Sequence, residues 1–229
     1  MTDSAPVTVM DAADPATWGP AIDEAVNAIG RGVLVVLPTD TVYGIAADAF
    51  SPRAVASLLA AKGRGPQMPP PVLVPDVRTI AGLCDGVPDA ARALMAAFWP
   101  GGLTIICRAQ PSLAWDLGET RGTVAVRMPD HGAALALLRR TGPLAVSSAN
   151  RTGQPAAHTA AQAREQLGDA VALYLDAGTV PGGVASTIVD VTSGRPRVVR
   201  AGAVGLDALR EVTEIDDEAG PDPQPQVGP

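Results

Sequence analysis

Three loops of this 229-residue chain carry more hydroxyls, amides and cations than a connection requires. The first is Pro38-Thr39-Asp40-Thr41-Val42-Tyr43-Gly44, directly after the apolar run VLVVL at 33–37. Hydroxyls and an aromatic at the carboxyl end of a buried strand suit a small ligand. The same residues also make a turn whose Thr side chains satisfy the backbone, and the local chemistry leaves both readings open. The second is Lys62-Gly63-Arg64-Gly65-Pro66, at the end of a helix. Cations there have an ordinary use, since they suit the helix dipole and cap its carbonyls. Yet Lys62 is the single lysine among 17 basic residues. A compact ammonium can follow a phosphate through a reaction, where Arg offers a fixed planar fork. The third is Ser147-Ser148-Ala149-Asn150-Arg151-Thr152-Gly153. Small hydroxyls, an amide and a Gly suit a polyanion approached by backbone N–H groups, or an Asn-Gly-type turn. Two further Arg, Arg127 and Arg200, end strands. If those ends share a rim, Lys62, Arg64, Arg127 and Arg200 converge on one phosphate and carboxylate site.

Other chemistries find no support. A Walker loop needs Gly before its Lys and Ser or Thr after it; here Ala61 precedes Lys62 and Gly63 follows. No G-x-S-x-G elbow surrounds the paired serines. Asp130, in Pro129-Asp130-His131, has no second acid beside it and reads as a turn. His131 and His158 cannot supply a His-rich metal site. Cys84 and Cys107 form no C-x-x-C and read as two buried, reduced thiols. Phe98 and Trp99 precede a Gly-rich stop and read as core.

The elements that must position these loops alternate in kind. Asp14-Pro15 predicts a helix start that runs to Gly30, and Ser51-Pro52 caps a helix to about Lys62. Helices are also expected at 88–98, 132–140, 159–167 and 204–212. Strands are expected at 33–37, 71–74, 103–108, 123–127, 143–147, 172–175, 186–191 and 197–200. This is an α/β pattern with a mixed, strongly twisted sheet, too irregular for a clean doubly wound order.

Hydrophobic residues are 47% of the chain and charged ones 18%, enough apolar material for a core. Residues 214–229 hold five acids, no bases and four prolines. The expected organisation is one domain over 1–212 and an acidic, disordered tail over 213–229. The tail supplies most of the net charge of −7, which leaves the body near −2 and argues against an overall basic nucleic-acid coat. The amino terminus lacks a signal-peptide pattern, and no apolar run approaches the ~20 residues of a membrane span. A soluble, cytoplasmic protein without membrane contact is expected.

Taken together, the loops resemble those of the YrdC family, the threonylcarbamoyl-AMP synthases, over roughly residues 16–205. PTDTVYGIAADAF (38–50), the K-x-R element Lys62-Gly63-Arg64 and FWPGGLTII (98–106) carry the resemblance. TVAVRMPDH (123–131), VSSANRTGQP (146–155), ASTIVDV (185–191) and RVVRAGAV (197–204) complete it in order, with Ser148 and Asn150 as an S-x-N pair. The resemblance implies a twisted open mixed sheet with flanking helices and a concave basic cavity. It implies condensation of L-threonine, bicarbonate and ATP, with Mg²⁺, into threonylcarbamoyl-AMP and pyrophosphate. A transferase complex would use the product to modify the adenosine beside the anticodon in tRNA, and a weak direct tRNA contact is left open. By position, Thr41, Arg127 and Ser186 would contact threonine. Lys62, Arg64, Thr123, Ser148, Asn150 and Arg200 would contact ATP, with Lys62 and Arg64 acting on the phosphates during the reaction. Met68 and Leu73 stand where the family commonly has Lys and His, and Gly102 where Pro is frequent. Three other readings are an RNA-binding module, a hydrogenase-maturation carbamoyltransferase and a relative of the YciO type.

Overall fold

The computed structural model describes residues 7–217. Its strands are β1 (Thr8–Asp11), β2 (Val35–Leu37), β3 (Gly44–Asp48), β4 (Val72–Leu73) and β5 (Leu103–Arg108). They continue with β6 (Thr123–Arg127), β7 (Leu144–Ser148), β8 (Leu173–Asp176), β9 (Thr187–Asp190) and β10 (Arg197–Arg200). The helices are α1 (Gly19–Gly30), α2 (Pro52–Ala61), α3 (Ile80–Leu83), α4 (Asp89–Phe98), α5 (Gly132–Thr141), α6 (Ala160–Leu167) and α7 (Leu206–Val212). The strands form one open sheet in the order β1-β8-β2-β3-β7-β4-β6-β5-β9-β10. It is mixed: β1–β8, β8–β2, β4–β6 and β5–β9 are parallel pairs, and the other neighbours are antiparallel.

Most expected elements are present, with ends shifted by a residue or two. The exception among helix starts is α1. Pro20 has no N–H to give residue 16, and its ring would clash with that carbonyl, so a helix cannot run through from Pro15. Asp14 instead closes a turn: its Oδ1 accepts from Ala16 N at 2.8 Å and its carbonyl from Thr17 and Trp18. The helix then begins with Pro20 in its first turn. Two strands were not expected. β3 is GIAAD, poor in β-branched residues, and is held by β2 on one side and β7 on the other. β1 is a short edge strand on β8.

The two faces of the sheet are covered unequally, and this opens the site. On one face Val36, Ile45, Val72, Ile105, Val126, Ala145 and Val189 join side chains of α2, α4, α6 and α7 in the main core. The other face is covered by α1 and α5 only over part of its width. There Leu37, Ala46, Leu73, Val146 and Leu173 pack with Ile22, Ala25, Leu137 and Leu138. No residue of β5, β6 or β9 belongs to that second cluster. Strand side chains alternate between faces. The uncovered half therefore presents Thr123, Ala125 and Arg127 of β6, Thr104 and Ile106 of β5, Ile188 of β9 and Arg200 of β10.

Phe98 and Trp99 pack against the main core, as expected. Cys84 and Cys107 are free and buried. The hydrogen bond between the two thiols, with burial, pushes the Cys84 pKa far up. Residues 214–216 of the expected tail are held against the body. Ile215 is buried, Val198 N donates to Asp216 O at 3.0 Å, and Arg195 meets Glu214 and Asp216. Residues 218–229, the rest of that tail, lie outside the described residues.

Candidate active site

The loop after β2 is first a turn. Thr39 Oγ1 donates to Val42 O at 2.6 Å and accepts from Thr41 N at 3.2 Å. With its proton so placed, Thr39 Oγ1 can only accept in its 3.0 Å contact with Thr41 Oγ1, so Thr41 donates there. Arg127 Nη1 donates to Thr41 Oγ1 at 2.9 Å. The Thr41 hydroxyl thus has its proton and one lone pair engaged, and keeps one acceptor lone pair. Tyr43 is core rather than ligand surface: its ring is fully buried, and its hydroxyl donates to Gly178 O at 2.7 Å.

Arg127 reaches this loop from the end of β6. Its Nε donates to Gly101 O at 2.9 Å and its Nη2 to Asp40 Oδ1 at 2.6 Å. Asp40 Oδ1 also accepts from the backbone N of Asp130 at 2.9 Å. The side chains of Arg127 and Asp40 are only 8% and 17% exposed. Burial lowers the Arg127 pKa, and the Asp40 carboxylate opposes that by favouring the charged form. Asp40 was missed by the sequence reading. Its signal was an acid between two threonines in a loop at the end of a buried strand.

Lys62 caps α2 at its carboxyl end, as the spacing predicted, but it does not project into solvent. It is fully buried, and its ammonium meets three oxygens of the third loop. These are Ser148 O, Asn150 O at 2.7 Å and Asn150 Oδ1 at 3.3 Å. Asn150 completes the knot by donating its Nδ2 to Arg151 O and Gln154 O. Ser148 Oγ, by contrast, has no hydrogen-bond partner among the described residues. Arg64 spans to the same loop through long contacts, 3.4 Å each, to Ser147 Oγ and Thr152 Oγ1. Neither Lys62 nor Arg64 meets a carboxylate among the described residues. Two half- or wholly buried cations without a counter-charge form a site that an anion would complete.

Ser186 and Arg200 sit together on the uncovered face. Arg200 Nη2 donates to Ser186 O at 2.7 Å and to Ser186 Oγ at 3.1 Å. Thr104, buried and also missed from the sequence, shares a 2.7 Å hydroxyl bond with Ser186. Its alternation in LTIICR placed it opposite the core residues Leu103 and Ile105, which was the available signal. The segment around Gly182 closes over Asp40 and Thr41: a Cβ on Gly182 would lie 2.3 Å from Asp40 O. Thr123 is set apart. It shares a face with Arg127 but begins β6, ~13 Å along the strand, and its hydroxyl donates to Thr120 O. The segment just before it touches the K-x-R loop, through Glu119 N to Pro66 O at 2.7 Å.

Burial, and then the neighbouring Arg64, bring the Lys62 pKa down to about 7. In the unfolded chain it lies at about 10.4. Between these values the unfolded chain binds more protons than the folded one. The group therefore adds stability as pH rises above about 7, and below that the full penalty of a buried charge is present. Denaturation of the unliganded protein against Lys62→Met at several pH values checks this. The wild type should gain on the variant as pH climbs from about 7 toward 9.5. A constant difference would remove Lys62 as the titrating group.

The Sua5/YciO/YrdC family model, described as "Telomere recombination", matches residues 27–202. A Mycobacterium tuberculosis protein provisionally named threonylcarbamoyl-AMP synthase is 55% identical over 90% of this chain and 95% of its own length. The threonylcarbamoyl-AMP synthase of Bacillus subtilis is 36% identical over 86% of this chain and 57% of its own. Among solved structures, P. abyssi Sua5 complexed with L-threonine superposes with a TM-score of 0.85 at 31% identity. That match covers 92% of this chain and 63% of the Sua5 chain. The chain thus spans most of the mycobacterial relative and under two thirds of the other two.

Proposed function

Since this chain belongs to the Sua5/YciO/YrdC family, we propose that it condenses L-threonine, bicarbonate and ATP into threonylcarbamoyl-AMP and pyrophosphate. The product would serve a transferase complex that modifies the adenosine beside the anticodon in tRNA. Among the described residues no helix is long and apolar enough to cross a membrane. A cytoplasmic location is part of the same proposal.

The observation that carries this reading is the pair Lys62 and Arg64, cations without a carboxylate partner: Lys62, its three N–H groups engaged by the third loop, holds Ser148 in place, and Arg64 and the unengaged hydroxyl of Ser148 are left to meet an anion. That set suits phosphate oxygens. Arg127 and Ser186 on the uncovered face, with Thr41 bonded to Arg127, suit a small amino acid. Bicarbonate and the neutral amine of threonine give a carbamate with loss of water. A carbamate oxygen then attacks the α-phosphorus of ATP, and pyrophosphate leaves with the electron pair of the broken P–O bond. The protein must align that attack, exclude water from a labile carbamate, and neutralise charge growing on the phosphates. No cluster of three His, Cys, Asp or Glu suited to a metal exists among the described residues. Mg²⁺ would enter with the ATP substrate, held by its phosphates.

The closing assay supplies ATP, Mg²⁺ and bicarbonate with threonine, serine or glycine and follows pyrophosphate. Release should require both an amino acid and bicarbonate, with threonine preferred. Release that needs neither would overturn the synthase reading, and ATP-independent, steeply salt-dependent tRNA binding would replace it with the RNA-binding one.

A further inference from the structure

The Asp40–Arg127 pair has more to offer than its own ion pair. Arg127 has five N–H groups. Three are engaged, by Gly101 O, Thr41 Oγ1 and Asp40 Oδ1, and each terminal nitrogen keeps one. Asp40 Oδ1 takes two hydrogen bonds, from Arg127 and from Asp130 N, while Oδ2 takes none within the described residues. Oδ2 instead borders Gly102: a Cβ there would lie 3.9 Å from it and 3.4 Å from Thr41 Cγ2. The adjacent Thr41 hydroxyl, its proton held by Thr39, has only an acceptor lone pair left. Residual donors on one side thus stand beside residual acceptors on the other.

We infer that Asp40 is a substrate-binding residue, whose Oδ2, with Thr41 Oγ1, receives the α-ammonium of an amino acid whose carboxylate lies on the remaining N–H groups of Arg127. The ammonium and carboxylate of a zwitterion are neighbours on one carbon, as the carboxylate and guanidinium are neighbours in the pair. The two dipoles align head to tail, and each unpaired valence of the site finds its complement. Such a site selects α-amino acids over hydroxy acids of the same shape, because an acid without the amine leaves Oδ2 facing an apolar hydrogen. Loss of the proton from that ammonium, to bulk water or to bicarbonate, then frees the lone pair for carbamate formation in place. The inference rests on the threonine-binding reading above and adds a residue and a selectivity to it.

Asp40→Asn tests it. The amide oxygen can keep the bonds from Arg127 and Asp130 N, and its NH₂ then occupies the Oδ2 position, where it repels an ammonium. Calorimetric binding is measured with threonine and with 3-hydroxybutanoate, which has the carboxylate and hydroxyl but no amine. ATP binding, expected unchanged, reports that the variant is folded. Wild type should prefer threonine over 3-hydroxybutanoate by about 10- to 100-fold, the range of one charge-assisted hydrogen bond. In Asp40→Asn threonine should weaken by about that factor, 3-hydroxybutanoate should hold, and the preference should collapse. Equal weakening of both ligands would show that Asp40 only supports Arg127 and would overturn the inference alone. No threonine binding by the wild type, with ATP still bound, would remove the amino acid from the site and take both readings down together.

Discussion

Lys62→Ala should lower pyrophosphate release roughly 10²-fold or more and destabilise the protein by about 3 kcal/mol. Two effects with one origin are expected. The ammonium holds Ser148 O, Asn150 O and Asn150 Oδ1; its removal leaves the two Asn150 oxygens without a donor, while Ser148 O keeps Asn150 N. Unsatisfied buried acceptors cost about 1–3 kcal/mol each, and a cavity adds to that. Relief of a desolvated charge works the other way, because burial already disfavours the protonated form. The sum stays destabilising, since the oxygens are buried whether or not the charge is. The catalytic loss follows from the same knot. The carbonyls of Ser148 and Asn150 face Lys62, which orients this strand end and leaves the Ser148 hydroxyl unengaged. Lys62→Met separates the parts, since it refills the volume without supplying a donor. Chemical denaturation and the pyrophosphate assay are run on both variants. Alanine or methionine variants turning over at the wild-type rate would end the role assigned to Lys62.

What could be read in the sequence, and what could not, follows from how far each signal reaches along the chain. β5 is apparent as LTIICR because its period and its flanking glycines are local. β3 is not, because GIAAD has weak intrinsic preference and becomes a strand through neighbours, one of them about a hundred residues away. The same division runs through the site. Lys62 stood out as the one lysine, and Arg127 and Arg200 as strand-end cations. Their partners did not stand out, because hydrogen bonds such as Lys62 to Asn150 or Arg127 to Asp40 join segments about ninety residues apart. Position by resemblance gave Asn150 a ligand role, yet both protons of its amide are engaged within the protein and its Oδ1 accepts from Lys62. Asn150 supports the site from beneath, and Ser148 presents the hydroxyl. The uncovered half-face was hidden for a related reason. The alternation along β5 and β6 shows two faces, but which one a helix covers depends on the lengths and directions of α1 and α5, which the alternation does not encode.

Arg127→Met should cost about 3–5 kcal/mol of stability and abolish threonine-dependent pyrophosphate release. The stability loss comes less from the bonds removed than from what they leave. Asp40 is mostly buried, its Oδ1 accepts from Arg127 and Asp130 N, and without the guanidinium its negative charge has no cation beside it. A buried pair broken on one side is worse than a pair replaced on both, because the surviving charge retains its desolvation penalty and loses its compensation. Asp40→Asn placed in the same chain should therefore recover part of the loss, since an amide requires no counter-charge and can still accept from Asp130 N. The coupling energy in the cycle of wild type, two single variants and the double variant should exceed about 1 kcal/mol in favour of the double. Activity should not return with it, because the double variant lacks the groups that would meet the carboxylate of threonine. Stability that recovers without activity is the signature of an ion pair that both folds the loop and faces the substrate. Strictly additive losses would mean that Asp40 finds its compensation elsewhere, and the Arg127–Asp40 pair could then be dropped from the description of the site.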